Sequence, residues 1–167
     1  MVDITNINWI AISGIFTALG SCATALYTIV FIATLIYLKR EIHEMRLATY
    51  ASAYKAIVEI LQTEEVLAAR EYIFNKLIDK PFKSWSKKNK REAEKVCRSY
   101  DAVGQMVRHE FLPKEYIVDS WGNSLRRCWP ILSPLVLSYR EQWNSAEVWD
   151  DFEWLANEAY PFQKPLS

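Results

Sequence analysis

The feature that most constrains the fold is a long stretch without charge near the start of the chain. No Asp, Glu, Lys or Arg occurs in residues 4–38, and residues 9–38 are predominantly apolar. As a helix, that apolar run would measure about 45 Å, the thickness of a bilayer with its headgroups. Trp9 and Tyr37 lie near its ends, where amphipathic rings favour the membrane interface. The pattern predicts one transmembrane helix.

A cleaved signal peptide is the alternative interpretation of this stretch. Such a peptide has a basic start, a shorter apolar run and small residues before its cleavage site. Here the start carries Asp3 and no Lys or Arg, and the apolar run ends in the cations Lys39, Arg40 and Arg46. By the positive-inside rule, these cations predict an outward N-terminus and a cytosolic C-terminal part. We expect a single-pass membrane protein.

The basic residues are confined to the part of the chain after the apolar run. All 20 Lys and Arg residues lie at or after Lys39, and they balance 20 Asp and Glu residues to a formal net charge of zero. This balance gives no electrostatic footprint for nucleic acid. The predicted organisation is a transmembrane anchor over residues 1–38, its helical extension over 39–62, a cytosolic helical domain over 63–160 and a tail over 161–167.

Helical periodicity dominates the rest of the chain. No Gly or Pro occurs from Ser21 to Lys80, so the first helix is expected to continue from the membrane to about Gln62. Further helix boundaries are predicted at Thr63, Pro113, Pro130, Pro134 and Ser145. With no strand-like alternation beside these patterns, the prediction is an all-α bundle of about six helices, the first of them the anchor.

Small residues recur along one side of the predicted transmembrane helix, at alternating steps of three and four. This packing face consists of Ala11, Gly14, Ala18, Ser21, Ala25 and Thr28. Because the hydrophobic effect does not drive helices together in lipid, side chains that permit close backbone approach favour association. We predict self-association through this face. Packing against a partner's helix is an alternative, and so is a pore lined by Ser13, Thr17, Ser21 and Thr24.

No arrangement of residues indicates a particular reaction. Cys22, Cys97 and Cys128 have neither CxxC nor Cys/His spacing, so they predict neither a disulfide framework nor a zinc site. His43 and His109 lack the preceding Arg that a helical nuclease of the HEPN type needs, and no Gly-rich phosphate loop occurs. We therefore expect no catalytic residue, no metal and no cofactor, and we expect that the protein is not an enzyme.

Arg70 falls on the apolar side of its predicted helix, in register with Val66 and Ile73. A buried guanidinium requires a negative partner. Asp101 and Glu153 are the candidate carboxylates, and the prediction is a structural ion pair that fixes helix packing. A functional site at Arg70 is the alternative.

Two further features indicate contacts with a partner or with lipid. Trp154 is predicted on the polar side of the last helix. Packing under the tail is the favoured interpretation, and a partner contact is the alternative, because an exposed aromatic ring can anchor an interface. The loop over residues 80–91 interleaves aromatic residues with lysines near the predicted membrane surface. Its candidate contacts for anionic headgroups are Lys83, Trp85, Lys87 and Lys88. A solvated loop is the ordinary interpretation of this segment, and headgroup binding is the second.

Several short motifs follow one another in a recognisable order. They are the anchor from Trp9, the helix of Arg70, and residues 101–104, 129–140 and 152–155. With these motifs, the chain resembles over nearly its whole length the DUF4760 family of small bacterial proteins. The resemblance implies a membrane helix followed by a helical domain, and it implies no activity. The layout is also similar to that of small membrane effectors of bacterial defence systems.

The leading hypothesis is a non-enzymatic membrane protein that self-associates through its transmembrane face and relays or responds to a cytosolic partner. A membrane-perturbing defence effector is one specific form. The alternative is a monomeric tethered adaptor whose domain binds a protein, and a third is a tethered nuclease or hydrolase, which would need a polar pocket with convergent titratable groups. The expected partners are the lipid bilayer, other copies of the chain and a cytosolic protein, whereas nucleic acid is not expected.

Overall fold

Every regular element in the described part of the chain is a helix. The computed structural model describes residues 9–162, with side chains from residue 12 to residue 161. The α-helices are α1 (Trp9–Leu61), α2 (Glu64–Lys76), α3 (Lys87–Arg108), α4 (Lys114–Trp143) and α5 (Asp150–Ala159). Short 3₁₀ turns occupy Phe82–Ser84 and Tyr160–Phe162. The all-α prediction is confirmed, with five α-helices where about six were expected.

Side-chain caps explain where α2 and α3 begin. Thr63 Oγ1 accepts a hydrogen bond from the Val66 N–H, and Ser86 Oγ accepts one from the Asn89 N–H, each at 3.3 Å. These hydroxyls satisfy first-turn donors that have no partner within the helix. The predicted boundary at Thr63 is therefore found, and the cap at Ser86 sets the start of α3.

α4 continues across two prolines, where the sequence predicted a break between two helices. Pro130 and Pro134 both lie inside Lys114–Trp143. Each lacks a helical N–H, and a proline in a helix interior costs about 3 kcal/mol relative to alanine. Cys128 and Leu132 nevertheless have no exposed surface. Packing of this continuous inner face offsets the proline cost, which is why one helix replaces the two predicted.

α5 begins four residues later than predicted. Ser145 does not cap it, because its Oγ accepts only the Glu147 N–H, at 3.4 Å, within a turn. The residue before the helix is Trp149, in a left-handed conformation with φ 52° and no capping side chain. Since Trp149 is buried, the turn carries its ring into the core, and α5 starts at Asp150.

The chain divides into two compact units, Met1–Leu47 and Ala48–Ser167. In the first, every side chain described after Ile12 is exposed. Ile12–Leu61 is long and apolar enough to cross a membrane, and it is the one such helix among the described residues. This part of α1 is compatible with a membrane anchor.

The second unit is a helical domain centred on α3, which packs against α2, α4 and α5. Tyr100 stacks on Phe152 with ring centres 5.2 Å apart, and Trp129 meets Phe152 edge-on at the same distance. Ile57 and Leu61 are fully buried in this core. The last turns of α1 therefore belong to the helical domain.

Candidate functional site

The side chains of the predicted packing face are exposed along α1 from Gly14 to Thr28. The side chain of Ala11, also assigned to this face, lies outside the described residues. A Cβ atom added at Gly14 or at Gly20 would meet no atom within 4 Å. Within the described part of the chain, this face is therefore open to close approach by another helix.

The hydroxyl groups of α1 bond to the backbone of their own helix. Ser21 Oγ donates to the carbonyl of Thr17, and Thr28 Oγ1 donates to that of Thr24, each at 2.9 Å. Thr17 and Thr24 make the same bond to the preceding turn. Such bonds satisfy the hydroxyl proton without a partner helix. This geometry takes up the hydroxyl donors of Thr17, Ser21 and Thr24, three of the residues considered for a pore lining.

Arg70 is buried as predicted, but its partners differ from those predicted. Its Nη2 donates to the Leu61 carbonyl at 2.7 Å, and its Nη1 donates to Tyr100 Oη at 3.3 Å. Leu61 is the last residue of α1, whose C-terminal carbonyls carry partial negative charge. The predicted pairing with Asp101 or Glu153 is therefore corrected. The end of a helix supplies the negative partner.

A chain of polar groups continues from Arg70 into the core. Tyr100 Oη donates to Ser124 Oγ at 2.6 Å, and Ser124 Oγ lies 4.0 Å from Cys128 Sγ. Burial raises the pKa of Tyr100 to about 12 and the pKa of Cys128 to about 11. Burial also holds the pKa of the Cys97 thiol well above its usual range. These groups stay protonated at neutral pH, so neither buried thiol is poised as a nucleophile.

Asp101 and Glu153 make other contacts. Asp101 Oδ1 accepts the N–H of Phe152, in the first turn of α5, at 3.2 Å. Asp101 on α3 thereby supplies the cap that Trp149 does not provide. Burial raises the pKa of Asp101, and the backbone hydrogen bond from Phe152 opposes this shift. Glu153 Oε2 accepts from Arg140 Nη1 at 2.6 Å.

Asp101, Asp150 and Asp151 bring three carboxylates within 4.8 Å of one another, a grouping that could in principle hold a cation. Arg108 Nη1 lies 2.8 Å from a carboxylate oxygen of Asp150 and 2.8 Å from one of Asp151. With Asp101 bonded to the backbone of α5, protein groups already compensate these charges. We assign this cluster to the contact between α3 and α5.

Gly104 allows α3 and α5 to approach closely. A Cβ atom there would lie 2.4 Å from the Asp151 carbonyl oxygen and 2.7 Å from its carbonyl carbon. The motif over residues 101–104 thus combines a capping carboxylate with a position that has no side chain, one helical turn apart. The sequence singled out this motif, but its role depends on α5 packing against it.

Trp154, which the sequence places on the polar side of its helix, is half-buried. The guanidinium carbon of Arg108 lies 5.1 Å from the centre of its ring. The ring also borders a cleft of about 340 Å³ that Lys114 helps to line. Trp143 is the exposed tryptophan, at 58 %, and it stacks on Tyr139 at 5.1 Å. Trp154 keeps a partial surface for a partner, and Trp143 adds one that sequence reasoning missed.

The loop that follows α2 exposes its lysines and buries its tryptophan. Lys83 in this loop is exposed, as are Lys87 and Lys88 in the first turn of α3. Trp85 is only 7 % exposed, and its indole N–H donates to the Lys80 carbonyl at 3.1 Å. The predicted headgroup contact through Trp85 is therefore corrected, because the 3₁₀ turn directs the ring inward.

Residues 15–159 match the family model described as "Domain of unknown function (DUF4760)". The match includes most of the apolar run of α1 and nearly all of the helical domain, in agreement with the resemblance of the short motifs. Neither the curated proteins nor the solved structures contain a match to the chain. The comparisons therefore supply a family and no activity.

Proposed function

We propose a function from the premise that the chain belongs to the DUF4760 family, whose description assigns no activity. We infer a non-enzymatic protein that crosses a bacterial inner membrane once, self-associates through the packing face of α1 and relays or responds to a cytosolic partner. The observation that carries this proposal is the apolar run of α1, in which no described residue is buried.

Exposure of this helix is the reason to place it in lipid. Phe16 is 71 % exposed and Leu19 is 62 % exposed, and similar side chains follow for several turns. A contiguous apolar surface of this length is rare on a soluble monomer, and acyl chains would cover it. A cleaved signal peptide would end in small residues, whereas α1 continues unbroken through Lys39 and Arg40.

The charges after the apolar run set the proposed orientation. Lys39, Arg40 and Arg46 follow it within two helical turns, and no Lys or Arg precedes it. The positive-inside rule then places Ala48–Ser167 in the cytosol and the N-terminus outside. The helical domain is thereby available to a cytosolic partner.

Self-association is proposed through close packing of small side chains. The hydroxyl protons on the face are satisfied within their own helix, so pairing would depend on van der Waals contact at positions such as Gly14. A defence effector that perturbs the membrane by assembling in this way is one specific form of the proposal.

A binding role for the domain, as opposed to a catalytic one, is supported by how its polar groups are used. Arg70 and Asp101 bond to backbone groups at helix ends, and burial keeps Cys97 and Cys128 protonated. The cleft beside Trp154 is the surface that favours the alternative, a monomeric tethered adaptor. In that case the domain alone would bind the partner.

Crosslinking of the full chain in membranes tests self-association. We expect Gly14→Leu and Ser21→Leu each to weaken association roughly tenfold, equivalent to about 1.4 kcal/mol, because a bulky side chain separates the backbones. Ala23→Leu is the matched control, since Ala23 lies on the opposite side of α1 and its enlargement should leave crosslinking unchanged. A wild-type chain that remains monomeric at every protein density in the membrane would refute self-association.

A further inference from the structure

A cluster of six cations lies where the loop after α2 leads into α3. We name it the basic face, and it consists of Lys80, Lys83, Lys87, Lys88, Lys90 and Arg91. None of these cations forms an ion pair within the described residues. Elsewhere in the domain, cations such as Lys95, Arg108 and Arg140 are paired with carboxylates. The basic face therefore concentrates charge that the fold does not neutralise.

Three of these cations surround one hollow of about 420 Å³, lined by Lys87, Lys88, Arg91 and Glu92. The Glu92 carboxylate lies 3.1 Å from Lys95 Nζ, which already compensates its charge. The first turn of α3 contains no acid, although the positive end of a helix favours one. The cations at this end of α3 repel one another and are also repelled by the positive end of the helix dipole. An external anion would reduce both repulsions.

Aromatic residues near the basic face are packed against the protein. Trp85 is buried and meets Phe82 edge-on at 5.2 Å. Lys90 Nζ lies 5.3 Å from the centre of the Phe82 ring, and Lys88 Nζ lies 5.7 Å from that of Tyr72. Single-stranded nucleic acids are bound largely by stacking bases on accessible rings, whereas Trp85 is buried and Phe82 and Tyr72 are half-buried against the core. The basic face therefore favours a ligand that presents fixed negative charges on a surface.

We propose that the basic face binds the headgroups of anionic phospholipids. The proposal rests on the membrane location inferred above, which would supply such a surface. Each Lys or Arg close to an anionic leaflet strengthens binding roughly fivefold, and the attraction is screened within about 10 Å at 0.1 M salt. The contact would thus depend on the anionic lipid fraction and on ionic strength.

The test uses the full chain in nanodiscs of neutral phosphatidylcholine, with and without added phosphatidylglycerol. Lysine acylation, read by mass spectrometry, reports how accessible each ammonium group is. We expect at least fivefold slower acylation of Lys87 and Lys88 in the anionic discs, with the difference lost at high salt. Lys55 and Lys76, which lie outside the basic face, are the internal controls and should not change.

A variant combining Lys83→Gln, Lys87→Gln and Arg91→Gln should abolish the anionic-disc protection of Lys88. The control combining Lys55→Gln, Lys76→Gln and Arg98→Gln should retain it. Equal acylation rates in both discs would overturn the proposal. It would also be overturned if inorganic phosphate or RNA, added to neutral discs, slowed the acylation of Lys87 and Lys88. Co-elution of the chain with the discs measures membrane insertion separately. A chain that inserts but shows no slower acylation would refute headgroup binding by the basic face and leave the membrane anchor unaffected.

Discussion

At the scale of single residues, Arg70 shows how this domain accommodates a buried charge without a carboxylate. Its guanidinium bonds to the last carbonyl of α1 and to the Tyr100 hydroxyl. A hydrogen bond from a charged group is stronger than one between neutral groups, and the helix dipole adds to it. Arg70 therefore links the end of α1 to α2, where it resides, and to α3.

Removing this guanidinium should weaken the domain. We expect Arg70→Met to lower the free energy of unfolding by about 2 kcal/mol, because the buried Leu61 carbonyl loses its partner. Urea unfolding of the full chain in detergent micelles, followed by near-ultraviolet circular dichroism, measures the change. Arg98→Met is the control, since Arg98 makes an exposed pair within its own helix and should change stability by less than about 0.5 kcal/mol. Equal losses for the two variants would contradict the role of Arg70.

At the scale of helices, the contact between α3 and α5 depends on two residues one turn apart. Asp101 caps the first turn of α5, and Gly104 admits the backbone of Asp151 at a distance that no side chain would permit. Arg108, one turn further along α3, pairs with Asp150 and Asp151. These contacts set where α5 begins, independently of any cap within its own sequence.

Gly104→Ala tests this close approach. A Cβ atom would collide with backbone atoms of Asp151, so we expect a loss of about 2 kcal/mol, typical of overpacking. Gly122→Ala is the matched control, because its nearest neighbour is the end of a side chain, the Arg126 guanidinium, 3.1 Å from the added atom. This group donates to the Ala159 carbonyl at 2.6 Å, but a small side-chain rotation accommodates the added atom more readily than backbone does. There the higher helix propensity of alanine should leave stability unchanged or raise it by up to about 1 kcal/mol. Thermal unfolding compares the stability of the two variants. Unchanged stability in Gly104→Ala would show that α5 can move away from α3.

At the scale of the whole molecule, the chain consists of Met1–Leu47 and a helical domain over Ala48–Ser167. The boundary falls inside α1, and it does not coincide with the end of that helix. Ile57 and Leu61 of α1 are buried in the domain core, and the Leu61 carbonyl holds Arg70. The domain consequently needs the last turns of α1.

A chain of residues 48–167 should fold on its own. We expect it to remain in the supernatant and to unfold in one cooperative transition, because its core is complete. A chain of residues 63–167, which begins where the sequence placed the start of the helical domain, should aggregate or lose the cooperative transition. Circular dichroism and sedimentation of the two fragments decide between a domain that starts at residue 48 and one that starts at residue 63. A stable 63–167 fragment would refute the domain boundary inside α1.

The same fragment bears on the choice between the two proposed functions. A tethered adaptor should retain its partner affinity in the fragment of residues 48–167, because its binding surface lies in the domain. A self-associating protein should lose its activity with the packing face of α1. The two functions therefore differ in whether the apolar helix takes part or only anchors the chain.

The sequence by itself determined the properties that need no neighbouring element. The apolar run, its basic exit and the cap at Thr63 follow from hydropathy, charge and the chemistry of one helical turn. The all-α class follows from periodicity along single helices. These properties are local, so a prediction from the residues alone was sufficient.

Only the tertiary structure decided which groups meet. The partner of Arg70 is a backbone carbonyl, which every residue carries and no composition can single out. The inward ring of Trp85, the exposure of Trp143 and the continuity of α4 through Pro130 likewise depend on which helices pack together. Packing free energy outweighs local propensity at these positions, because it sums many contacts between residues far apart in the chain.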